Sequence, residues 1–391
     1  MGKHRLLKGA KGVSFPAAGS LKEAAVAVLK KGKGEKVRSQ EDGSKKGKMT
    51  MKLEKKHGQH LLKNPGIVKK IIEAADIKKS DVVLEIGPGT GNLTMKLCGL
   101  ARKVRAIDID VRMTAEVKKR VLSAGYTNLE VVHCDALKAD FGEFSVCTAN
   151  LPYQISSPFV FKMITVPHTY RAAVLMFQKE FGERLVAKPH DKFYCRLSVN
   201  TQLFFKVTRV CHVSAGSFNP PPKVDSIVIK LVPVKQKYQN LNYLQWDAML
   251  RIAFSRKRKT LAAAFTSGKS VRKTHSFIEG INGKRVELRT FKDHIRQLLE
   301  SIPYKADHSE DVVTFAQKRA VELSIPDLLV LLHTFSKAGI IFPVQTSNKN
   351  VSSINLDATT EADQVVPLSC FADDDDDDDD EVDEVDEVIM N

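Results

Sequence analysis

Residues 81–92 read DVVLEIGPGTGN. An apolar run from Val82 to Ile86, interrupted only by Glu85, has the length of a strand. It leads straight into Gly87, Gly89 and Gly91, and a helix-compatible segment, NLTMKLCGLA, follows. Strands covered on both faces read as near-continuous apolar runs, and glycines at their exit let the chain turn sharply and a ligand approach the backbone. The spacing is not that of the dinucleotide fingerprint G-x-G-x-x-G, because Asn92 stands where the last glycine would fall. Nor does the loop carry the G-K-[S/T] of a phosphate-cradling loop.

Working outward, the same alternation repeats. NPGIVKKIIEAADI (64–77) is an amphipathic helix ahead of the glycine loop. Beyond it, VRAIDID (104–110), LEVVHCD (129–135) and FSVCTAN (144–150) read as strands, separated by the helical MTAEVKKRVLSAG (113–125). PFVFKMIT (158–165) is helical, and AAVLMFQKE (172–180) is a strand running into a helix. Strands separated by helices predict a parallel sheet covered on both faces, a Rossmann-like α/β domain. Near residue 240 the rhythm changes. WDAMLRIAFSRKRKTLAAAF (246–265), FKDHIRQLLESI (291–302) and IPDLLVLLHTFSKAG (325–339) are helical with little strand signal. The expected organisation is a basic arm over 1–50, an α/β domain over 51–240, a small all-helical domain over 241–342 and an acidic tail over 343–391, with the domain boundary at Lys235–Asn240. No repeat of solenoid length is present.

The charge is strongly segregated. The net is +15 for the chain, yet residues 1–50 hold 13 Lys/Arg against 4 Asp/Glu, and residues 343–391 hold 1 against 16. The middle keeps 47 basic and 26 acidic residues, so a folded core with that excess is a candidate polyanion binder. Both ends have the composition of disordered segments. The six cysteines form no CxxC pair and no Cys/His ligand spacing, which predicts reduced thiols and no metal site. No apolar run approaches the ~18 residues needed to span a bilayer, and the first residues lack a secretory core, so no membrane association is expected.

Two acids sharpen the ligand class. Asp108 closes the second strand, and Asp135 closes the third at the same sheet edge. Either could simply cap the next helix. Together they outline a nucleoside pocket without a phosphate-binding lysine, which points to S-adenosylmethionine. NLPYQISSP (150–158) then falls at the end of the fourth strand, beside the methyl group of that cofactor. An exocyclic adenine amine is a poor nucleophile because its lone pair is delocalised into the ring. The Asn150 side-chain carbonyl and the Leu151 backbone carbonyl could accept its two hydrogens and localise the pair. Pro152 stiffens the turn and offers no competing N–H. Tyr153 can stack on a base taken out of its helix. No strong general base is required.

GQHLLKN (58–64), EIGPGTGN (85–92), NLPYQISSP, LVAKPHDKFYCRLSVNTQL (185–203), FNPPPKVDSIV (218–228) and FSRKRKTL (254–261) resemble, in order, the motifs of the ribosomal RNA adenine dimethyltransferases, in particular the eukaryotic dimethyladenosine transferases. The resemblance runs from His57 to Phe342. It implies that His60 and Leu62 close over the methionine end of the cofactor, and that Gly87, Gly89, Gly91, Asp108, Asp135 and Asn150 complete its site. It also implies that Phe218 forms the second face of an adenine sandwich with Tyr153; without the family Phe218 reads as core. Eukaryotic relatives commonly carry Glu at the second-strand position, where this chain has Asp108, one methylene shorter. Arg256, Lys257, Arg258 and Lys259, placed on a predicted helix, are expected to contact RNA phosphates.

The implied activity is dimethylation of two adjacent adenosines in the 3′-terminal loop of small-subunit ribosomal RNA. The implied partner is a pre-ribosomal particle, for a chain monomeric when free and working in the nucleus and nucleolus, or in the cytoplasm on late precursors. The rival readings are a DNA adenine methyltransferase using the same NLPY chemistry, and a ribosome assembly factor that keeps the pocket.

Overall fold

The computed structural model describes residues 60–166, 169–234, 241–283, 285–304 and 313–344. The basic arm, the acidic tail beyond residue 344 and the boundary at 235–240 lie outside them.

The chain enters through a two-residue strand, β1 (Leu61–Leu62), and a helix, α1 (Pro65–Ala75). Asn64 starts α1, its side chain accepting from Gly66 N at 2.9 Å, with Pro65 pre-set for the first turn. Two strand–helix units and a third strand follow: β2 (Val82–Ile86) and α2 (Thr94–Cys98), β3 (Lys103–Asp108) and α3 (Val111–Ser123), then β4 (Leu129–His133). Next come β5 (Val146–Asn150), α4 (Ser156–Thr165), β6 (Ala172–Gln178), α5 (Lys179–Val186) and α6 (Arg196–Phe204). The strands β7 (Phe205–Val213), β8 (Phe218–Asn219) and β9 (Ser226–Pro233) complete this half.

The main sheet has seven strands in the order β4-β3-β2-β5-β6-β9-β7. The chain builds outward from β2 to β4 and then returns to lay β5 against the other side of β2, so the strand order reverses between β2 and β5. Ligands of such sheets bind at this switch point, outside the carboxyl ends of the strands. The glycine loop and NLPY flank it.

The five strands of the alternating pattern, β2 to β6, are parallel as expected, and the sheet is extended by two strands outside that pattern. β9 runs antiparallel to β6 and β7 antiparallel to β9. β9 is as continuously apolar as a parallel core strand, so periodicity alone cannot reveal its direction. β7 has exposed and half-buried positions through its length, as a one-sided edge strand does.

The second half contains α7 (Tyr243–Phe254), α8 (Leu261–Thr266), α9 (Gly268–Asn282) and α10 (Leu288–Glu300), the short hairpin β10 (Pro303–Tyr304) and β11 (Val313–Thr314), and α11 (Ile325–Lys337). The helix expected over 246–265 is broken. Thr260 turns outward to cap α8, accepting from Ala263 N at 3.3 Å, and residues 255–259 form an exposed turn. The helices share one apolar core with the sheet, a continuous cluster that runs from Leu84 through Trp246 to Phe342. A polar bridge reinforces the join: buried Asp247 of α7 receives Arg196 at 2.9 Å and Asn200 at 2.8 Å from α6, and Trp246 Nε1 donates to Asn200 Oδ1 at 3.0 Å. Among the described residues no helix is long and apolar enough to cross a membrane.

Candidate active site

The glycine loop is tied at one end to the main sheet and at the other to β1. Gly87 N donates to Ile107 O of β3 at 2.9 Å, and Asn92 Nδ2 donates to Leu62 O at 2.7 Å. From α3, Arg120 reaches Thr90 O and Asn92 Oδ1, each at 2.8 Å. All three glycines have positive φ, 68°, 55° and 85°. Their roles differ. A Cβ on Gly89 would lie 2.8 Å from the Leu61 side chain at the mouth of the site, whereas one on Gly91 would meet Val117 of α3 at 2.9 Å. Gly87 and Gly89 line the site; Gly91 lets the loop pack on the helix.

Two adjoining cavities open at the switch point. The first lies between β1, the glycine loop and α1 and is lined by Leu61, Leu62, Gly87, Gly89, Asn150 and the buried Glu85. The second is lined by Asp108, Ile109, Asn150, Pro152, Tyr153 and Phe218, with His60 at its edge. β1 pairs with β8, Leu62 opposite Phe218, so a segment before the first helix and the FNPPP loop clasp each other across the mouth.

Asn150 belongs to both cavities, and its amide orientation is fixed. Its Nδ2 donates to His60 O at 3.0 Å, and a backbone carbonyl can only accept. The carbonyl oxygen is therefore the half of the amide left to receive a hydrogen. Leu151 is buried and Pro152 half-buried. Tyr153 begins a short 3-10 turn, and its hydroxyl is tied to Ser226 Oγ of β9 at 2.8 Å. Burial holds the phenol above its ordinary pKa, so it stays neutral and acts as a ring rather than a base. His60 stacks against that ring with centroids 6.2 Å apart, and its Nδ1 lies 2.9 Å from Pro220 O. The histidine thus stands at the NLPY end of the site. Phe218 is almost fully buried yet lines the second cavity.

The two acids part company. Asp108 lines the second cavity, and its Oδ1 accepts from Asp110 N at 2.9 Å. Asp135 lines neither cavity; its Oδ1 accepts from Leu137 N at 2.9 Å, the capping geometry that its sequence position also allowed. The loop after it is held by Lys162, which α4 delivers directly behind NLPY. Buried Lys162 Nζ donates to the carbonyls of Ala136, Leu137 and Ala139 at 2.9, 3.1 and 2.5 Å and sits 4.1 Å from the centre of the Phe141 ring. Burial lowers its pKa, opposed by Asp135. Sequence reading missed Lys162, whose only signal was a charge inside an apolar helix.

Glu85 was also missed as a site residue, although it stands in the quoted motif. It is 2% exposed, and its Oε2 and Thr94 Oγ1 lack hydrogen-bond partners among the described residues. Burial pushes its carboxyl up to about 8, with Asp108 adding to the effect and nearby Thr94 opposing it.

Arg256, Lys257, Arg258 and Lys259 are brought together in the exposed turn between α7 and α8, not around a helix. Leu261 N donates to Lys318 O at 2.7 Å, which sets two further cations, Lys318 and Arg319, beside that turn in the fold. No group of three or more metal-ligating side chains occurs among the described residues.

A profile of the "Ribosomal RNA adenine dimethylase" family matches residues 50–303. The "Probable dimethyladenosine transferase" of Dictyostelium discoideum is 44% identical over 296 residues, covering 74% of this chain and 91% of the relative. The "Dimethyladenosine transferase" of Yarrowia lipolytica is 40% identical over 323 residues, covering 81% and 99%. Among solved structures, that of a dimethyladenosine transferase from Plasmodium falciparum has a TM-score of 0.62 at 50% identity and covers 72% of this chain and 100% of its own.

Proposed function

The chain belongs to the ribosomal RNA adenine dimethylase family, and we propose that its targets are two adjacent adenosines in the 3′-terminal loop of small-subunit ribosomal RNA, each converted to N6,N6-dimethyladenosine during small-subunit biogenesis. Membership makes it an rRNA adenine dimethyltransferase that uses S-adenosylmethionine. The residues at the switch point fit that cofactor: a glycine loop whose Gly89 lines both cavities at positive φ, an unpartnered buried carboxyl oxygen on Glu85, and Asp108 at the second strand end. Leu61, Leu62, Gly87 and Glu85 would hold its methionine portion and Asp108 its ribose. When bound, the cofactor supplies an electrophilic methyl group on a sulfonium.

The observation that carries the reading is the fixed amide of Asn150. With Nδ2 committed to His60 O, its Oδ1 accepts one hydrogen of the target amine. The backbone carbonyl of Leu151 accepts the other, and Pro152 places no donor in competition. These acceptors hold the amine lone pair out of conjugation with the ring and in line for displacement. Tyr153, anchored through Ser226, and Phe218 flank the base once it leaves its stack. After the first transfer the amine retains one hydrogen, so a single carbonyl suffices to orient the second. The exposed cations Arg256, Lys257, Arg258 and Lys259 bind phosphates, which positions the RNA without reading its sequence.

We place the reaction on a pre-ribosomal particle, with the protein monomeric when free and acting in the nucleus and nucleolus. The test is to map dimethyladenosine in small-subunit rRNA from cells with and without the protein, alongside the Asn150→Ala variant. Loss of both modifications in the null and in the variant is the expected result. Unchanged modification in the null assigns the chemistry elsewhere and leaves an assembly role.

A further inference from the structure

Between α5 and α6 the chain forms a loop, residues 187–195, that lines neither cavity at the switch point. It is pinned from within and from outside. Lys188 N donates to Asp191 Oδ2 at 2.7 Å, and Tyr194 N donates to Asp191 O at 3.0 Å. His190 takes a left-handed backbone, φ 72°, and its N donates to Val321 O at 2.8 Å. Buried Tyr194 donates its hydroxyl to Leu323 O at 3.0 Å and meets Phe254 edge-on, ring centroids 5.9 Å apart. Phe254 ends α7, immediately before the turn that carries Arg256, Lys257, Arg258 and Lys259. The loop, that turn and the segment after Arg319 thus meet in the fold, although they are far apart in sequence.

Immediately before Tyr194 stands Phe193, with 40% of its surface exposed. Lys192 Nζ lies 5.6 Å from the centre of its ring, and Lys188 is exposed in the same loop. A single exposed phenylalanine is ordinarily no more than uncovered surface. This one is held on a loop fixed to both halves of the molecule, and it stands among cations. The acids nearby are engaged: Asp191 caps its own loop, and Glu322 pairs with Arg319 at 2.7 Å. An aromatic ring amid cations suits a ligand with both a π-face and a phosphate, which an unpaired nucleotide supplies.

We propose that Phe193 is a stacking platform for an unpaired base of the substrate RNA, with Lys192 and the 256–259 turn on the flanking phosphates. α5 begins at Lys179, whose N donates to Asp225 O at 2.9 Å, next to the Ser226 that anchors Tyr153. Its eight residues extend about 12 Å, so the platform stands one short helix from the pocket of the target base. The base it holds is a neighbour of the target in the single strand, not the target itself. A duplex keeps its bases stacked within the helix and presents none to the ring. The platform thereby selects single-stranded RNA, which phosphate contacts alone do not. The inference rests on an RNA substrate and is independent of which adenosines are modified.

Binding of the full chain to an unpaired RNA oligonucleotide and to a duplex of equal phosphate number separates stacking from charge. Phe193→Ala should weaken the unpaired RNA by about 5- to 150-fold, the range for one base stacked on an aromatic ring, and leave the duplex unchanged. The salt slope should stay the same, because no phosphate contact is lost. Methyl transfer by this variant should show a raised KM for RNA and a near-normal kcat. Phe193→Tyr should retain the affinity and Phe193→Leu should lose it, since only a flat ring stacks. Trp246 is the one native tryptophan and is fully buried, so Phe193→Trp puts a fluorophore at the platform. Its emission should be quenched by the unpaired RNA and not by the duplex. Full affinity in Phe193→Ala or Phe193→Leu, an equal loss on the duplex, or no quenching in Phe193→Trp overturns the proposal. If the unaltered protein binds neither RNA, the RNA substrate itself is removed, and the platform with it.

Discussion

At the carboxyl ends of β2 and β5 the polar groups are few, half-buried or buried, and held by backbone or by a single side chain: Asn150 by His60 O, the glycine loop by Ile107 O and Leu62 O, Tyr153 by Ser226. In the turn between α7 and α8, four cations stand exposed on consecutive residues. The first region orients atoms to within a hydrogen bond, and a displaced group there loses its function. The second offers charge at the surface, where attraction to phosphate tolerates displacement and is screened by salt. Precise geometry is easily spoiled and exposed charge is readily redistributed, so substitutions in the two regions should differ in size and in kind.

The largest effect is expected at Asn150. Asn150→Ala removes the fixed acceptor and should cut methyl transfer by about 10²–10³, the scale seen when one preorganised electrostatic partner is removed. Cofactor affinity measured by calorimetry should stay nearly unchanged. A variant that methylates at close to the normal rate would break the contrast at its strongest point.

Asp135 sharpens it. If its carboxylate contacts the cofactor, Asp135→Ala should weaken binding by roughly 1.5–3 kcal/mol, the range for a hydrogen bond involving a charged group. Asp135→Asn keeps an acceptor for Leu137 N and so separates the two roles. Full affinity in the Asn variant with a loss in the Ala variant would make Asp135 a cap that shapes the loop. Unchanged affinity in both would remove it from the site.

The glycines divide along the same line. Gly91→Ala places a Cβ 2.9 Å from Val117 in a positive-φ conformation and should cost about 1–3 kcal/mol of stability in denaturant unfolding. Gly89→Ala should act mainly on cofactor affinity, because its Cβ meets Leu61 at the mouth of the site. A stability loss confined to Gly89→Ala would reverse their assignments.

The smallest effect per residue belongs to the cations. Replacing Arg256, Lys257, Arg258 and Lys259 singly by Gln should weaken RNA binding modestly and lower the salt slope by about 0.7–0.9 for each phosphate that is no longer neutralised. The rate at saturating RNA should not change. A fall in that rate would mean that the turn orients the substrate as the strand-end pocket does.

Much of this was legible in the residues because burial and turn chemistry are local. The apolar run ending at Ile86, the glycines after it and the alternation through AAVLMFQ specify strands between helices, and the motifs from EIGPGTGN to FNPPPKVDS carry the family. What escaped the sequence was whatever depends on partners far along the chain. The direction of β9 is set by pairing with β6 and β7, and its apolar pattern would serve either direction. FSRKRKTL has helical composition, but Thr260 capping α8 and the docking of Leu261 on Lys318 end the helix first. His60 looks like a neighbour of Leu62, yet the clasp between β1 and β8 carries its ring to Tyr153.

The sequence by itself determined the strands and helices from α1 to β6, the family and the residue types at the strand ends, because each follows from side-chain periodicity and backbone freedom within a few residues. Only the tertiary structure decided which way the Asn150 amide faces, that buried Glu85 opens on a cavity whose lining holds no basic residue, and that Asp135 turns into its own loop. The reason is physical: the orientation of an amide and the protonation of a carboxyl depend on the dielectric and partners around them. At this site those partners come from β1, α1, α2, β3 and β5 at once, and only the reversal of strand order at β2 brings them together.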